Sequence, residues 1–413
     1  MKLKYLFLSL FFISIWSCDE KDLDLELVQV ATPELMTKTD FRNSVAITVP
    51  KNIEKVGKIY AYKNYIFVSD VNKGVHVIDN SNPVLPKAIK YINIPGNEDI
   101  SVKDDFLYAD SATDLVVFDI SDINSISLVE RLEDVFTIYN YNIPIEAQAV
   151  DYGKMDYENE IIVGWKVTSE WRKKIDNRLI AVEIISNDVA FNSAESVTGQ
   201  GGSLARFQIV ENYLYTVGNY QMAIFNIQSL SSPVLENTQN AGWNIETMFQ
   251  ANGYLYLGST NGMYIYSIEN PSSPEYVSEF THWEGCDPVI VDGDYAYLTL
   301  RGGNDCGQEE SVLEVIDISD KAAPILANRY ELQNPYGLGI KENTLFVCDG
   351  TSGLKLFDKV DPLHVKLTKT YGDVQAKDVI PLESNLLMVG GNTLYQYKYI
   401  EKGVELLSSY TLK

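Results

Sequence analysis

A segment of about 40 residues recurs along this chain, and each copy is built from short strands. Two apolar strands follow each other, the second ends on an acidic or polar residue, and a proline turn comes next. The first two copies contain Tyr65–Asp70 with Gly74–Asp79, and Phe106–Asp110 with Asp114–Asp119. Further copies are centred on Phe225, Tyr266, Ile316, Phe357 and Tyr397. A period of this length made only of strands is typical of a β-propeller.

The residues that end the second strand of each copy set the number of units. The step from Asp79 to Asp119 has the length of one repeat. The later residues at this position are Asn226, Ser267, Asp317, Asp358 and Lys398. The steps between them also have this length, except that Ser267 to Asp317 is longer. The stretch between Asp119 and Asn226 is too long for two units, so we expect an irregular unit three with the strand Arg178–Ile184. The sequence therefore predicts an all-β fold, a single β-propeller of eight four-stranded blades.

Seven blades is the structural alternative to eight. The count falls to seven if the segment of unit three joins a neighbour, or if Ala46–Val49 completes the last blade in place of Val404–Leu412. In either case a propeller closes its blades around one axis, so residues 45–413 are expected to form one domain.

Four strands can be read in the first unit, and we name them a to d. They are Lys58–Tyr62, Tyr65–Asp70, Gly74–Asp79 and Ala88–Ile94, with Asp, Asn, Gly and Pro between them. Val, Ile, Tyr and Phe dominate these strands, and these residue types suit a pleated, half-buried surface. No long stretch has a helical period.

Three stretches resemble a known repeat. Val77–Asp79, Leu115–Ser121 and Leu313–Ser319, each followed by a proline turn or its relic, are similar to the LVIVD repeat of bacterial cell-envelope proteins. The resemblance covers residues 56 to 413, and only unit three departs from the repeat pattern. It implies a propeller fold and a surface or periplasmic location. It implies no reaction, because that family has no established common activity.

Residues 1–17 have the pattern of a signal peptide. A basic start, Met1–Lys4, precedes an apolar run, Tyr5–Trp16, that is too short to span a bilayer as a helix. Cys18 directly follows Ser17, which looks like a lipoprotein signal in which Cys18 becomes the lipidated first residue of the mature chain. An ordinary signal peptide is the alternative, and Trp16 departs from the small residue usual at its position.

Residues 18–44 are predicted to be a lipidated acidic linker. The run Asp19–Asp24 resembles the acidic signal that sends some Gram-negative lipoproteins to the cell surface, and it equally suits a solvated tether. No later segment is apolar over a length that could span a bilayer, so we expect membrane contact only through the lipid anchor. The predicted location is the bacterial outer membrane, on the cell-surface or periplasmic side, and the predicted state is a monomer.

The net charge of the chain excludes some classes of binding partner. Removing Lys2 and Lys4 with the signal leaves 31 basic residues against 57 acidic ones, a net charge of −26. Such a surface repels nucleic acid and anionic lipid headgroups. We therefore expect no nucleic-acid partner.

The cysteines agree with an oxidising compartment. Cys286 lies in the connection from strand d of unit five to strand a of unit six, and Cys306 lies between strands b and c of unit six. Both kinds of connection lie on one face of a propeller, so we expect these two cysteines to form a disulfide. A metal pair, the alternative, lacks further ligands at suitable spacing. Cys348 is expected to be a buried small hydrophobe.

The connections from b to c and from d to a form one face of the predicted propeller, here called the top face. The opposite face carries stereotyped proline turns. The sequence places all four tryptophans of the mature chain on the top face: Trp165, Trp171, Trp243 and Trp283. Indole is a preferred anchor at binding surfaces, so these residues are candidate binding residues. The alternative is that each tryptophan only caps its neighbouring blade.

The start of the innermost strand is a second candidate position. Aligning the regular units places there Lys58, Glu98, Ala205, Glu246, Asp287, Tyr336 and Lys377. A ring of acids alone would indicate a bound cation, but the lysines weaken that interpretation and favour a solvated polar funnel. We therefore predict no metal site and no cofactor.

The function predicted from these features is non-catalytic binding or scaffolding. The chain has three His and lacks a P-loop, a dinucleotide fingerprint and the common hydrolase motifs. We expect capture of a glycan or an envelope protein on the top face, by the four tryptophans together with Glu98, Glu246, Asp287, Arg301 and Tyr336. The alternative is a carbohydrate-active hydrolase or lyase that uses the funnel carboxylates.

Overall fold

The chain forms eight β-sheets in a computed structural model that describes residues 25–137, 143–144, 146–173, 198–218, 220–282, 288–302 and 310–412. Seven sheets contain a four-stranded blade, and the eighth has three strands. The predicted all-β class and propeller architecture are confirmed, with eight sheets of which one is partial. We number the seven four-stranded blades in chain order.

Three elements precede the first blade: β1 (Leu25–Thr37), α1 (Lys38–Asn43) and β2 (Ala46–Thr48). Blade one contains β3 (Val56–Tyr62), β4 (Tyr65–Asp70), β5 (Gly74–Asp79) and β6 (Lys87–Asn93). Blade two contains β7 (Ile100–Lys103), β8 (Phe106–Ser111), β9 (Asp114–Asp119) and β10 (Ser127–Leu132). An insertion after blade two supplies β11 (Ala149–Val150), β12 (Glu160–Lys173) and β13 (Gln200–Gly201).

Five more blades follow the insertion. Blade three contains β14 (Phe207–Val210), β15 (Tyr213–Val217), β16 (Gln221–Asn226) and β17 (Val234–Asn240). Blade four contains β18 (Ile245–Ala251), β19 (Tyr254–Ser259), β20 (Gly262–Ser267) and β21 (Glu275–Thr281). Blade five contains β22 (Val289–Asp292), β23 (Tyr295–Leu300), β24 (Val312–Asp317) and β25 (Ile325–Glu331).

The last two blades complete the chain. Blade six contains β26 (Leu338–Lys341), β27 (Thr344–Cys348), β28 (Leu354–Asp358) and β29 (Lys366–Tyr371), with a short 3₁₀ helix at Pro362–His364. Blade seven contains β30 (Asp378–Pro381), β31 (Asn385–Gly390), β32 (Thr393–Ile400) and β33 (Gly403–Thr411). The strands observed in blade one closely match their predicted bounds.

Every blade is an antiparallel meander in which strand a is innermost and strand d is outermost. In each blade the pairing of strands c and d contains a register shift near the start of strand d. A β-bulge bends and twists the strand that carries it. The repeated bulge therefore gives every blade the same twist at its outer edge.

The seven innermost strands form a closed ring. Each contacts the next along the chain, and β30 of blade seven contacts β3 of blade one. Seven hydrophobic clusters fill the interfaces between neighbouring blades, one cluster at each interface. Burial of apolar surface between twisted sheets is the main stabilising term in such a ring.

The end of the chain corrects one predicted alternative. Val404–Leu412 was expected to complete the last blade unless Ala46–Val49 did so. The structure places β33 as the outer strand of blade seven, whereas β2 pairs with β6 of blade one. The predicted strand Arg178–Ile184 of unit three lies outside the described residues.

The eighth sheet is formed by the N-terminal strand and the insertion, and we call it the N-terminal sheet. Its strand order is β11-β1-β12, and β1 pairs antiparallel with β12 along its whole length. The prediction of a linker over residues 18–44 is therefore wrong for residues 25–43, which form β1 and α1. The acidic run ends at Asp24, and residues 25–43 contain apolar residues throughout, which form a strand when they pair with the distant β12.

A stretch of the insertion crosses the centre of the ring. We call residues 198–206 the central segment. It contacts the innermost strands of five blades. Gly199 N–H donates to Val102, and β13 pairs with β3. Gly202 packs on Asp378, Leu338 N–H donates to Ser203, and Met248 N–H donates to Ala205. The prediction of a solvated polar funnel is therefore wrong, because the central segment occupies the propeller axis. Ala205 belongs to this segment and not to an innermost strand.

Candidate functional site

A cleft of about 460 Å³ lies on the top face, between the N-terminal sheet and blades two and three. Its rim includes the b-to-c connections at Asn72, Ala112 and Gly218 and the d-to-a connection at Gly96. Ligand sites of proteins are concave, mostly apolar and few per molecule. The cleft is therefore the candidate site.

Apolar side chains line part of the cleft, and we call them the apolar wall. β12 contributes Ile162, Val163 and Trp165, and the chain after blade two contributes Val135 and Phe136. Because the insertion leaves blade two directly before Val135 and returns through β12, both parts of the wall come from a segment that the repeat does not contain.

Aromatic packing fixes two rings of this wall. Phe136 packs against Phe207 and Phe225 with ring centroids 6.2 and 5.7 Å apart. The Trp165 ring meets the Tyr152 ring edge-on, with centroids 5.9 Å apart. Such pairs hold the rings in defined orientations. Trp165 is half-buried, so part of its ring surface stays available in the cleft.

Polar side chains also line the cleft, and we call them the polar floor. Arg206 Nη1 forms an ion pair with Glu98 Oε2, and the side chains are 19% and 27% exposed. Arg206 Nε donates to the Glu246 carbonyl at 3.1 Å, and its backbone N–H donates to Asp99. Arg206 is the last residue of the central segment, which explains how it reaches the floor.

Asp99 and Asp110 line the cleft together with the Glu98–Arg206 pair. Asp99 Oδ2 is 2.9 Å from Lys58 Nζ. Asp110 Oδ1 accepts from the N–H groups of Glu98 and Asp99 at 2.8 and 3.0 Å. Burial and the nearby Glu98 raise the pKa of Asp110 to about 7, against these two N–H donors. Asp110 therefore fixes the loop that carries Glu98.

The repeated acid that ends strand b has the same structural role in three blades. Asp70 accepts from Glu54 and Lys55 N–H, and Asp349 accepts from Gln333 and Asn334 N–H. Asp110 does so in blade two. The sequence contains this recurring acid, and the structure shows that it accepts from N–H groups of the residues before strand a.

An ionic cluster holds the N-terminal sheet against blade two. Arg42 of α1 contacts Asp114, Glu133 and Asp134, and Lys38 contacts Asp134 at 2.7 Å. The wall of the cleft is thereby attached to the propeller. The sequence did not reveal the role of Arg42, because its partners lie at blade two, more than 70 residues further along the chain.

The predicted tryptophans separate in the structure. Trp165 lines the cleft, whereas Trp171 lies at the far end of β12, opposite Leu27 of β1, and is 68% exposed. Trp243 is 52% exposed in the connection between blades three and four, with its ring 4.8 Å from that of Tyr220. Trp165 and Trp171 were expected in loops, and both lie in a strand instead.

Three further predicted residues surround the axis outside the cleft. The Arg301 guanidinium lies 4.2 Å from the centre of the Tyr336 ring. Glu246 lies on β18, and burial raises the pKa of its carboxyl, against the positive charges of Arg206, Arg301 and Lys58. These residues sit around the central segment and do not join the cleft. Among the predicted funnel residues that the structure describes, only Glu98 lines it.

Several predicted residues lie outside the described residues: Cys18, Trp283, Cys286, Asp287 and Cys306. Lipidation of Cys18 and the bridge between Cys286 and Cys306 stay predictions. Cys348 is buried and free, as predicted, and burial raises the pKa of its thiol.

The described residues bear on metal binding and on membrane insertion. They contain no group of three or more His, Cys, Asp or Glu side chains placed to hold a metal ion. No helix within them has the length and apolar character needed to cross a membrane.

Comparison with family models finds the LVIVD repeat at residues 55–90, 97–134, 251–281 and 286–331. The chain carries LVIVD repeats. Within these repeats the acid that ends strand c has a structural role. Asp79, Asp119 and Asp317 each accept from the N–H two residues later, at 2.8 to 2.9 Å. These Asx turns start the c-to-d connection on the face opposite the cleft.

Solved structures of low sequence identity are similar to this chain. The computationally designed Ika8 protein is 7% identical with a TM-score of 0.50, covering 88% of this chain and 89% of that one. Kluyveromyces lactis Hsv2 is 10% identical with a TM-score of 0.47, covering 87% and 100%. A functionally unknown protein from Desulfotomaculum acetoxidans DSM 771 is 10% identical with a TM-score of 0.47, covering 86% and 98%. No curated protein matches the sequence.

Proposed function

We propose that this LVIVD-repeat propeller is a non-catalytic binding protein of the bacterial envelope that captures a glycan in the cleft. The observation that carries the proposal is that Trp165 lines the same cleft as the polar pair Glu98 and Arg206. Sugars combine apolar ring faces with hydroxyl groups, so an aromatic side chain facing hydrogen-bonding groups suits them. The proposed location is the outer membrane, on the cell-surface or periplasmic side, with attachment through a lipid at Cys18.

A protein partner is the second candidate. Leu27 and Trp171 are 49% and 68% exposed on neighbouring strands, and Trp243 is 52% exposed near blade four. Exposed tryptophans are enriched at the energetic centres of protein interfaces. These side chains lie outside the cleft, so the two candidates use different residues.

Catalysis is the third possibility, and the contacts of the carboxylates favour binding over it. Glu98 is paired with Arg206, Asp99 with Lys58, and Asp110 caps a loop. A glycosidase needs one carboxyl to donate a proton and a second to act as base or nucleophile. Turnover of a bound glycan that stops with Glu98→Gln would support the enzyme alternative.

The test combines a glycan array with an envelope pull-down. Wild type is compared with Trp165→Ala in the cleft and with Trp171→Ala and Trp243→Ala outside it. The proposed function expects glycan signal to fall at least tenfold with Trp165→Ala and to persist with the other two variants. A protein partner lost with Trp171→Ala or Trp243→Ala alone would favour the second candidate. Glycan binding that survives Trp165→Ala would refute capture in the cleft.

A further inference from the structure

The cleft divides into an apolar part and a polar part, and the two parts differ in what they can bind. Ile162, Val163, Trp165, Val135 and Phe136 form the apolar wall. A wall with three aliphatic side chains offers more apolar surface than the face of a sugar ring alone would use. A ligand that fills the cleft therefore needs an apolar body besides its polar group.

The carboxyl groups of the polar part already have partners in the structure. The charged side chains that line the cleft are Glu98, Asp99, Asp110 and Arg206. Glu98 is paired with Arg206, and Asp99 with Lys58. An anionic head would meet three carboxyl groups, and a cationic head would meet Arg206 with Lys58 behind it. Burying an unpaired charge is costly, so both ions are disfavoured.

A hydroxyl group fits the Glu98–Arg206 pair. The structure uses the Arg206 Nε–H and one Nη1–H in hydrogen bonds to described residues, and a guanidinium has five N–H donors in all. Glu98 accepts and Arg206 donates. Because a hydroxyl both donates and accepts, adjacent hydroxyls can bridge the two side chains.

We propose that the cleft binds a neutral, hydroxyl-bearing head joined to an apolar body, that is, a sugar with an apolar substituent. This inference rests on the proposed function and names the class of glycan that the cleft takes. The apolar body lies along Ile162, Val163 and Trp165, and the sugar hydroxyls lie on Glu98 and Arg206. A volume of about 460 Å³ is within the range of sites for small ligands.

The probe is n-octyl β-D-glucopyranoside below its critical micelle concentration, titrated by calorimetry into the mature chain made without the signal peptide. Methyl β-D-glucopyranoside has the same head without the tail, and octanoate and octylamine have a similar tail with charged heads. We expect the octyl glucoside to bind at least tenfold more tightly than each of the other three. Absence of octyl glucoside binding, or equal binding of any of the three, overturns the inference.

Variants assign the binding to the cleft. Trp165→Ala and Val163→Asp are each expected to weaken octyl glucoside binding at least tenfold, because one removes apolar surface and the other places a charge in the wall. Val163 is 45% exposed, so its substitution leaves the core intact. This variant therefore still tests the cleft if Trp165→Ala fails to fold. Trp243→Ala, outside the cleft, is the matched control and is expected to stay within twofold. Unchanged binding in both cleft variants contradicts the proposal.

The two proposals fail in different ways. Glycan capture that needs Trp165, together with equal binding of octyl and methyl glucoside, would keep the proposed function and refute the apolar body. If octyl glucoside binding needs Trp165 and Val163 but no envelope glycan needs them for its binding, the ligand class is kept and the proposed function is refuted.

Discussion

Arg42 in α1 binds Asp114 at the first residue of β9 through two hydrogen bonds, Nε to Oδ2 at 2.8 Å and Nη2 to Oδ1 at 3.0 Å. Asp114 is 1% exposed and also accepts from Arg131 Nη1 at 2.7 Å. Burial alone would raise the pKa of Asp114, but the hydrogen bonds from Arg42, Asp134 N–H and Arg131 lower it below its usual value. The bidentate pair attaches the wall of the cleft to blade two.

Arg42→Ala is expected to lower the free energy of unfolding by about 3 kcal/mol, because it leaves a buried carboxylate with one guanidinium instead of two. Urea titration measures the loss, and hydrogen exchange should show it first in β1. Lys398→Ala is the control, since Lys398 pairs with Glu405 where both side chains are more than half exposed. That change should cost less than about 1 kcal/mol. Equal costs for both variants would contradict the role of Arg42.

Gly202→Ala tests the central segment. A Cβ atom at Gly202 would overlap the carboxylate of Asp378, which is fully buried. Overpacking of this kind costs about 1–3 kcal/mol. Gly372→Ala is the matched control, because a Cβ atom there meets no atom within 4 Å. We expect urea titration to separate the two variants, and a Gly202→Ala protein as stable as the control would show that the axis is not filled as described.

Asp378 makes stability depend on pH. Burial raises its pKa to about 7, against the N–H of Val379 and the charges of Lys58 and Lys377. The unfolded pKa is near 3.9, so the stability that this group brings is fully present below about pH 4. It is lost as the pH rises through about 7.

The test compares wild type with Asp378→Asn, which cannot ionise. Between pH 5 and pH 8 wild type should lose about 2–3 kcal/mol more than the variant, at about 1.36 kcal/mol per pKa unit. Urea titrations at both pH values measure the difference, and Asp373→Asn, an exposed carboxylate, is the control. The pKa of Asp110 is raised in the same way, so the variant keeps part of the pH dependence of stability. Identical slopes for wild type and Asp378→Asn would exclude Asp378 as their source.

Asp119→Ala tests the Asx turn of the repeat. Asp119 accepts from Ser121 N–H at 2.9 Å, and loss of this acceptor should cost about 1 kcal/mol. Asp119→Asn keeps an acceptor oxygen and should cost less than half as much. Both are measured by thermal or urea unfolding. The turn lies opposite the cleft, so octyl glucoside binding should be unchanged in both variants.

Cys18→Ala tests the anchor. Palmitate should label the wild type, and the variant should move to the soluble fraction, because several acyl chains anchor a protein stably whereas one does not. Retention of the variant in the membrane fraction would refute lipidation at Cys18.

The repeat could be read from the sequence because each blade is assembled from neighbouring residues. Strands such as Tyr65–Asp70 and Gly74–Asp79 were predicted at their observed bounds. Alternating β-forming residues and turn residues act over a few positions, so they are visible locally. Trp165 and Glu98 were also identified, the first by residue type and the second by its equivalent position in the repeat.

The cleft could not be assembled from the sequence, because its parts meet only through distant pairing. β1 pairs with β12 across the whole of blades one and two, and Glu98 meets Arg206 at a sequence separation of 108. The insertion has no repeat, so nothing in its composition indicates that residues 198–206 cross the axis. The register of a distant strand pair depends on what both strands pack against.

By itself the sequence determined the seven regular blades, their order and the structural acids of the turns, since these depend on contacts within about 40 residues. The tertiary structure alone decided that seven innermost strands close the ring while the N-terminal sheet stands beside them. It also decided which of the predicted residues share a cleft. The reason is physical: short-range contacts select a strand or a turn, whereas ring closure and the docking of an insertion depend on the summed burial of surfaces far apart in the chain.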